Sequence, residues 1–185
     1  MGGTASGAKR REFAYGRSFF VQRLLLFSAL AAVILGILGL QFATPPEWLA
    51  GFGVIFAVYI LIWGLSPLFT NHWLTTTRLI LRQGWYFSGR FLLRDIESVA
   101  KFEGHVPLGL RAPLGRHRLY VTGSQVGLVT VKLREPRRFV AVLGASADEI
   151  VFDVDSQDAF LEAFGVRKGS LAPVQTKRSD TYLRD

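Results

Sequence analysis

The chain has 185 residues, half of them apolar, with 22 basic against 14 acidic side chains and a formal charge of +8. That balance excludes an acidic surface and suits anionic phospholipid headgroups or nucleic acid as neighbours, without choosing between them. There is no cysteine, which excludes disulfides, zinc–thiolate sites, iron–sulfur clusters and cysteine nucleophiles.

Residues 1–18 form a basic segment containing Lys9, Arg10, Arg11 and Arg17. Met1, Gly2 and Ser6 fit a myristoylation pattern, although a plain small-residue tail reads the same way. Apolar residues then crowd into residues 19–70. Two runs, about residues 24–42 and 48–69, each reach the roughly 20 residues that a helix needs to cross a hydrocarbon core of about 30 Å. Pro45 and Pro46 stop the first helix and suit the first turn of the second, where a missing N–H is harmless. Glu47 then meets the positive end of that helix's dipole. So short a connection implies an antiparallel hairpin with Trp48 and Trp73 near the ends of the second span.

Arg23 joins the basic residues before the first span, Arg78 and Arg82 follow the second, and the Pro-Pro loop has no basic residue. The positive-inside bias therefore predicts a multi-pass protein of the cell (inner or plasma) membrane with both termini cytoplasmic. A cleaved signal peptide fits poorly, because the apolar stretch exceeds the usual 7–15 residues and no small-x-small cleavage site follows it. Ser28, Ala32 and Gly36 repeat every four residues, as do Gly53 and Ala57. Such small residues let helices approach closely, either within the hairpin, the simpler reading, or against another subunit. No charge lies within either run, which argues against an ion pathway through the hairpin alone.

From Trp73 the pattern becomes alternation. Leu79 and Leu81 share one face and Arg78 and Arg82 the other, and a turn at Gln83 and Gly84 leads to a second strand starting at Trp85. Further strands are predicted over residues 90–94, 96–102, 118–122, 126–134, 139–143 and 149–154, with residues 123–127 as a hairpin turn. Asp155 or Ser156 caps a helix striped by Ala159, Phe160, Ala163 and Phe164 and stopped by Gly165. This predicts a membrane α-helical hairpin followed, over residues 73–165, by an all-β antiparallel barrel capped by one C-terminal helix. Residues 166–185 read as a disordered tail.

Residues 73–84, Trp-Leu-Thr-Thr-Thr-Arg-Leu-Ile-Leu-Arg-Gln-Gly, resemble the opening stretch of bacterial pleckstrin-homology-like (PH-like) domains. Residues 93–99, with Ile96 and Val99, are similar to the third strand of those domains, and many carry the domain directly after a two-helix hairpin. The resemblance covers residues 24–165 and implies a PH-like barrel, membrane attachment and no catalytic residues. The long 104–116 loop departs from the simplest pattern and leaves strand pairing there open.

His72, His105 and His117 are too scattered for a local metal motif. Ser124 stands one place early for a nucleophile elbow, Lys168-Gly169-Ser170 inverts the phosphate-loop order, and capping with alternation explains most of the acidic cluster from Asp148 to Asp158. Neither a catalytic residue, a metal site nor a cofactor is expected. Two features suit binding of lipid or a partner. Arg78, Arg82, Arg90 and Arg94 lie near the membrane exit, where each basic residue is worth about 1 kcal/mol against an anionic leaflet. The 104–117 loop intersperses Leu108 and other apolar residues with Arg111 and Arg116. A solvated strand face and a loop folded back on the core are the plainer readings of each.

The expectation is a non-catalytic membrane-anchored module binding a protein, a peptide or anionic lipid headgroups. Its rival is an accessory subunit of a larger membrane complex or a homo-oligomer. A nucleic-acid-binding OB barrel is disfavoured, since its helix usually falls between strands three and four.

Overall fold

The computed structural model describes residues 10–42, 44–113 and 115–171. The myristoylation pattern, Leu114 and the tail beyond residue 171 lie outside the described residues.

Among the described residues, two helices are long and apolar enough to cross a membrane. The first, α1 (Ser18–Leu40), has 23 residues and is about 35 Å long at 1.5 Å per residue, so it begins well before residue 24 and includes Arg23. The second begins as α2 (Pro46–Tyr59), with Pro46 at its first position and Glu47 in its first turn. It then widens into a π-helical stretch (Ile60–Leu65) and tightens into a 3₁₀ turn (Ser66–Phe69). Gly64 packs on Leu24 of α1: a Cβ there would stand 3.1 Å from the Leu24 Cδ1. Only 6% and 11% of the most apolar windows of the two helices are buried.

Among the described residues, nine strands precede or follow the hairpin. The first sheet has the order β1 (Arg10–Phe13), β2 (His72–Thr75), β3 (Arg78–Gln83), β4 (Phe87–Leu92), all antiparallel. β1 comes from the segment read as a basic tail, so the chain enters α1 directly from this sheet. The second sheet has the order β5 (Ile96–Lys101), β8 (Leu128–Phe139), β9 (Ala145–Asp153), β7 (Arg118–Thr122), β6 (Gly109–Arg111). The helix α3 (Gln157–Gly169) closes the chain.

The expected barrel is not closed. No ladder joins β4 to β5; a 3₁₀ turn (Leu93–Asp95) carries the chain between the sheets, and side chains span the gap. Arg137 Nη1 donates to the Arg90 carbonyl at 3.1 Å and Arg134 Nε to the Arg94 carbonyl at 3.2 Å. The second sheet is also not wholly antiparallel, because β7 runs parallel to β9. Residues 123–127 are thus a crossover and not a hairpin turn. β8 passes to the far side of β9, pairs antiparallel with it, and meets β5 on its other edge. Residues 140–142 form a 3₁₀ turn in place of a strand. Nor does Gly165 stop the last helix, which continues to Gly169: Lys168 Nζ donates to the Ile96 and Glu97 carbonyls at 2.9 and 2.8 Å, and Arg167 donates to the Leu74 carbonyl.

One core holds these layers together. Leu74, Leu79, Leu81, Phe87 and Phe91 face inward from the first sheet, Val129, Val131, Ile150 and Phe152 from the second, and Phe160 and Phe164 from α3. Alternation explains this directly, since inward residues recur every second position on each strand. Phe13 of β1 joins the core edge-to-face with Phe160, ring centroids 5.0 Å apart. On the far face of the second sheet, Val106 folds back from the long loop onto Tyr120, Leu128 and Val151.

Candidate functional site

The hairpin and the sheets meet through a buried polar junction. Tyr15 O–H donates to the Pro67 carbonyl at 2.7 Å and lies 2.8 Å from Thr70 Oγ1, while the Gly84 N–H donates to the same threonine oxygen at 3.0 Å. The Trp85 N–H donates to Ser66 Oγ at 3.1 Å, and Tyr86 stacks on Trp63 with ring centroids 6.2 Å apart. The β3–β4 turn is therefore fastened to the foot of the second helix. Across the junction, Asp153 is fully buried and accepts the Gly16 N–H through Oδ2 and the Gly123 N–H through Oδ1, each at 2.7 Å. A Cβ on Gly123 would collide with the Gly16 carbonyl, so glycine there permits the close approach. Burial raises the Asp153 carboxyl to about 6, against the opposing pull of the two backbone donors. His72 stacks on Tyr15 and accepts the Arg82 N–H through Nδ1 at 3.2 Å. Burial lowers its imidazole to about 3, so the ring is neutral, with its proton on Nε2.

Three of the four arginines singled out on the strands come together. Arg78, Ile80 and Arg82 alternate on the outer face of β3. Their partners in register, Leu92, Arg90 and Ser88, lie beside them on β4. With Trp73 and Trp85, all of these except Leu92 line a groove of about 330 Å³. Trp73 is held between two guanidiniums, Arg10 at 3.1 Å and Arg82 at 4.9 Å from the ring centroid. Trp85 on the turn is 60% exposed. Arg94 does not join them. It sits in the turn after β4, its Nε 3.6 Å from Asp95, a carboxylate that Arg137 also holds at 2.6 Å.

The loop residues divide as well. Leu108 and Arg111 line a cleft with Phe19, Gln22 and Arg23 of α1. Arg116 lies apart, in a shallow site shared with His117, Asp148 and the Arg118–Glu149 ion pair. Arg10, Trp73 and Arg23 are site residues that the sequence pattern does not mark. Arg10 and Arg23 look like topology charges in the sequence and Trp73 like a membrane-belt tryptophan, and no periodicity relates them to residues 60 to 90 positions away. Among the described residues no three His, Asp or Glu side chains gather to hold a metal.

In comparisons with known proteins no family model matches this chain, no curated protein matches it and no solved structure matches its fold.

Proposed function

We propose that this protein is a non-catalytic membrane-anchored module that lays the outer face of its first sheet on anionic headgroups at the cytoplasmic surface. The observation carrying this reading is the attachment of the Trp85 turn to the foot of the second apolar helix. Helices whose apolar residues are this exposed fit lipid better than the interior of a soluble core, and both would cross the membrane with the termini inside. The basic face then begins at the headgroups: Arg82 is next to the turn, and Arg78 stands about 14 Å farther along the strand at 3.4 Å per residue. Exposed Trp85 suits the interface, where an amphipathic ring has one apolar and one wet side. Three arginines at about 1 kcal/mol each give about 3 kcal/mol, a docking equilibrium of roughly a hundredfold. The two stacked sheets with a terminal helix, preceded by a hairpin, are the support for a PH-like relationship, and the parallel β7–β9 pair weighs against it.

The test uses the full chain in nanodiscs with an environment-sensitive fluorophore on Ser88→Cys, which lies on the same face opposite Arg82. With phosphatidylglycerol present, emission should shift to the blue at about 0.1 M salt and revert at about 1 M, as the Debye length falls from about 10 to about 3 Å. The shift should vanish when Arg78, Arg82 and Arg90 become glutamine. Equal emission in anionic and purely zwitterionic discs at low salt would refute the docking.

One observation favours the accessory-subunit or homo-oligomer reading. Ser28 and Ala32 are exposed, and a Cβ built on Gly36, Gly51 or Gly53 would meet nothing within 4 Å. These small residues therefore do not serve packing inside the hairpin and are open to another helix. Migration on a native gel after mild detergent extraction separates this reading from a lone module.

A further inference from the structure

The cleft between α1 and β6 has features that docking by the sheet face does not use. Phe19, Gln22, Arg23, Leu26 and Phe27, from the first three turns of α1, form one wall, and Leu108, Gly109, Leu110 and Arg111 form the other. It encloses about 530 Å³, within the range of sites for single small ligands. Its lining is divided by chemistry: Gln22, Arg23 and Arg111 supply hydrogen-bond donors, while Phe19, Leu26, Phe27, Leu108 and Leu110 supply apolar surface. None of the lining residues is acidic. Among the described residues neither Arg23 nor Arg111 has a carboxylate partner, and the Arg23 guanidinium lies over the Phe27 ring, 4.9 Å from its centroid. Two cations facing one cleft repel each other unless an anion lies between them, and a planar guanidinium matches a phosphate geometrically.

The position of the cleft selects the source of that anion. Arg23 directly precedes the apolar run that begins at Leu24, where an arginine stem lies along apolar surface and its head reaches the headgroup layer. Leu26 and Phe27 continue one turn deeper, in line for an acyl chain. The second wall is held close by backbone conformation: Gly109 has φ +90°, and a Cβ there would stand 3.5 Å from the Phe19 ring.

We infer that this cleft binds one anionic phospholipid, its phosphodiester between Arg23 and Arg111 and its acyl chain along Leu26 and Phe27. The lipid bridges the foot of α1 and the edge strand β6, so it is a structural ligand and not part of the general leaflet. The inference rests on the reading that α1 crosses a membrane, which carbonate extraction of the membrane fraction tests separately.

The test titrates delipidated full-length chain in a non-ionic detergent with short-chain phosphatidylglycerol, phosphatidylcholine or inorganic phosphate, read by native mass spectrometry. One phosphatidylglycerol per chain should bind saturably and in preference to phosphatidylcholine, with inorganic phosphate failing to displace it. Arg23→Gln and Arg111→Gln should each weaken it about tenfold, the loss of one charge-assisted contact. Arg23→Lys and Arg111→Lys, which keep the charge, should retain more binding than the glutamine variants and control for folding. The triple glutamine substitution of Arg78, Arg82 and Arg90 should leave this titration unchanged, which keeps its outcome separate from that of the sheet-face docking. Unchanged binding by the double glutamine variant, equal binding of phosphatidylcholine, displacement by inorganic phosphate, or no saturable lipid would each overturn the assignment.

Discussion

Asp153 and His72 sit on the same buried junction and make opposite demands on pH. The Asp153 carboxyl is raised from 3.8 to about 6, so between those values the folded chain holds a proton that the unfolded chain has released. Its contribution to stability is fully present below about 3.8 and is lost as pH rises through 6. The His72 imidazole is lowered from 6.5 to about 3, so there the unfolded chain holds the extra proton. Its contribution is present above 6.5 and is lost as pH falls. Integrated from pH 4 to pH 6 with these values, each group changes stability by about 2 kcal/mol, in opposite directions. In the native chain the two slopes oppose each other.

Single substitutions should uncover each slope. His72→Asn keeps an acceptor near the Arg82 N–H but does not titrate, leaving Asp153 uncompensated; relative to the native chain this variant should lose about 2 kcal/mol between pH 4 and pH 6. Asp153→Asn removes the other slope and keeps an oxygen for one of the two glycine N–H groups; relative to the native chain it should recover about 2 kcal/mol over the same interval. Urea unfolding of the full chain in non-ionic detergent, followed by the sheet signal in far-ultraviolet circular dichroism, measures both. Comparison with the native chain removes the contribution of the other carboxylates. Parallel pH profiles for all three proteins would refute the claim that burial at this junction controls these two protonations.

Two other outcomes are expected. Phe13→Ala should destabilise the sheets by about 3–5 kcal/mol in the same unfolding assay, because it empties a core site packed against Phe160; a loss below about 1 kcal/mol would mean that β1 is not a working part of the sheet. Cysteine labelling in intact cells should reach Thr44→Cys from outside and not Ser170→Cys, and the reverse pattern would invert the proposed topology.

The parts legible in the sequence are those governed by local pattern. Continuous apolarity marked both long helices, and alternation at Leu79 and Leu81 marked inward-facing strand positions that the core indeed contains. What escaped depends on partners distant along the chain. Alternation reveals which face of a strand is buried but not which strand lies beside it, so neither the parallel β7–β9 pair nor the unclosed edge between β4 and β5 could be read. Four residues of β1 are too few and too charged to show a period, and Arg10 is ordered by Trp73, 63 positions away. Arg23 had the same ambiguity: as a residue flanking a span it signals orientation, and only the return of β6 beside α1 makes it a possible ligand-binding group.

The link between Gly16 and Asp153 spans 137 positions, and its place in the chain has a mechanical consequence. Gly16 lies between β1 and α1, Pro67 lies in the last turn of the second helix and Thr70 between that helix and β2, and Tyr15 joins these two crossings. Both connections between hairpin and sheets are therefore fixed to each other and to the ends of β9 and β7 in the second sheet through Asp153 and Gly123. A flexible tether would leave each crossing its own rotation; two crossings fastened by directional buried hydrogen bonds remove most of it. The sheets thus have a defined orientation relative to the helix feet. That constraint fixes the groove on β3 and β4 and the cleft beside β6 relative to the helix feet, so in the lipid docking proposed above the ordering entropy would come from folding and not from lipid binding.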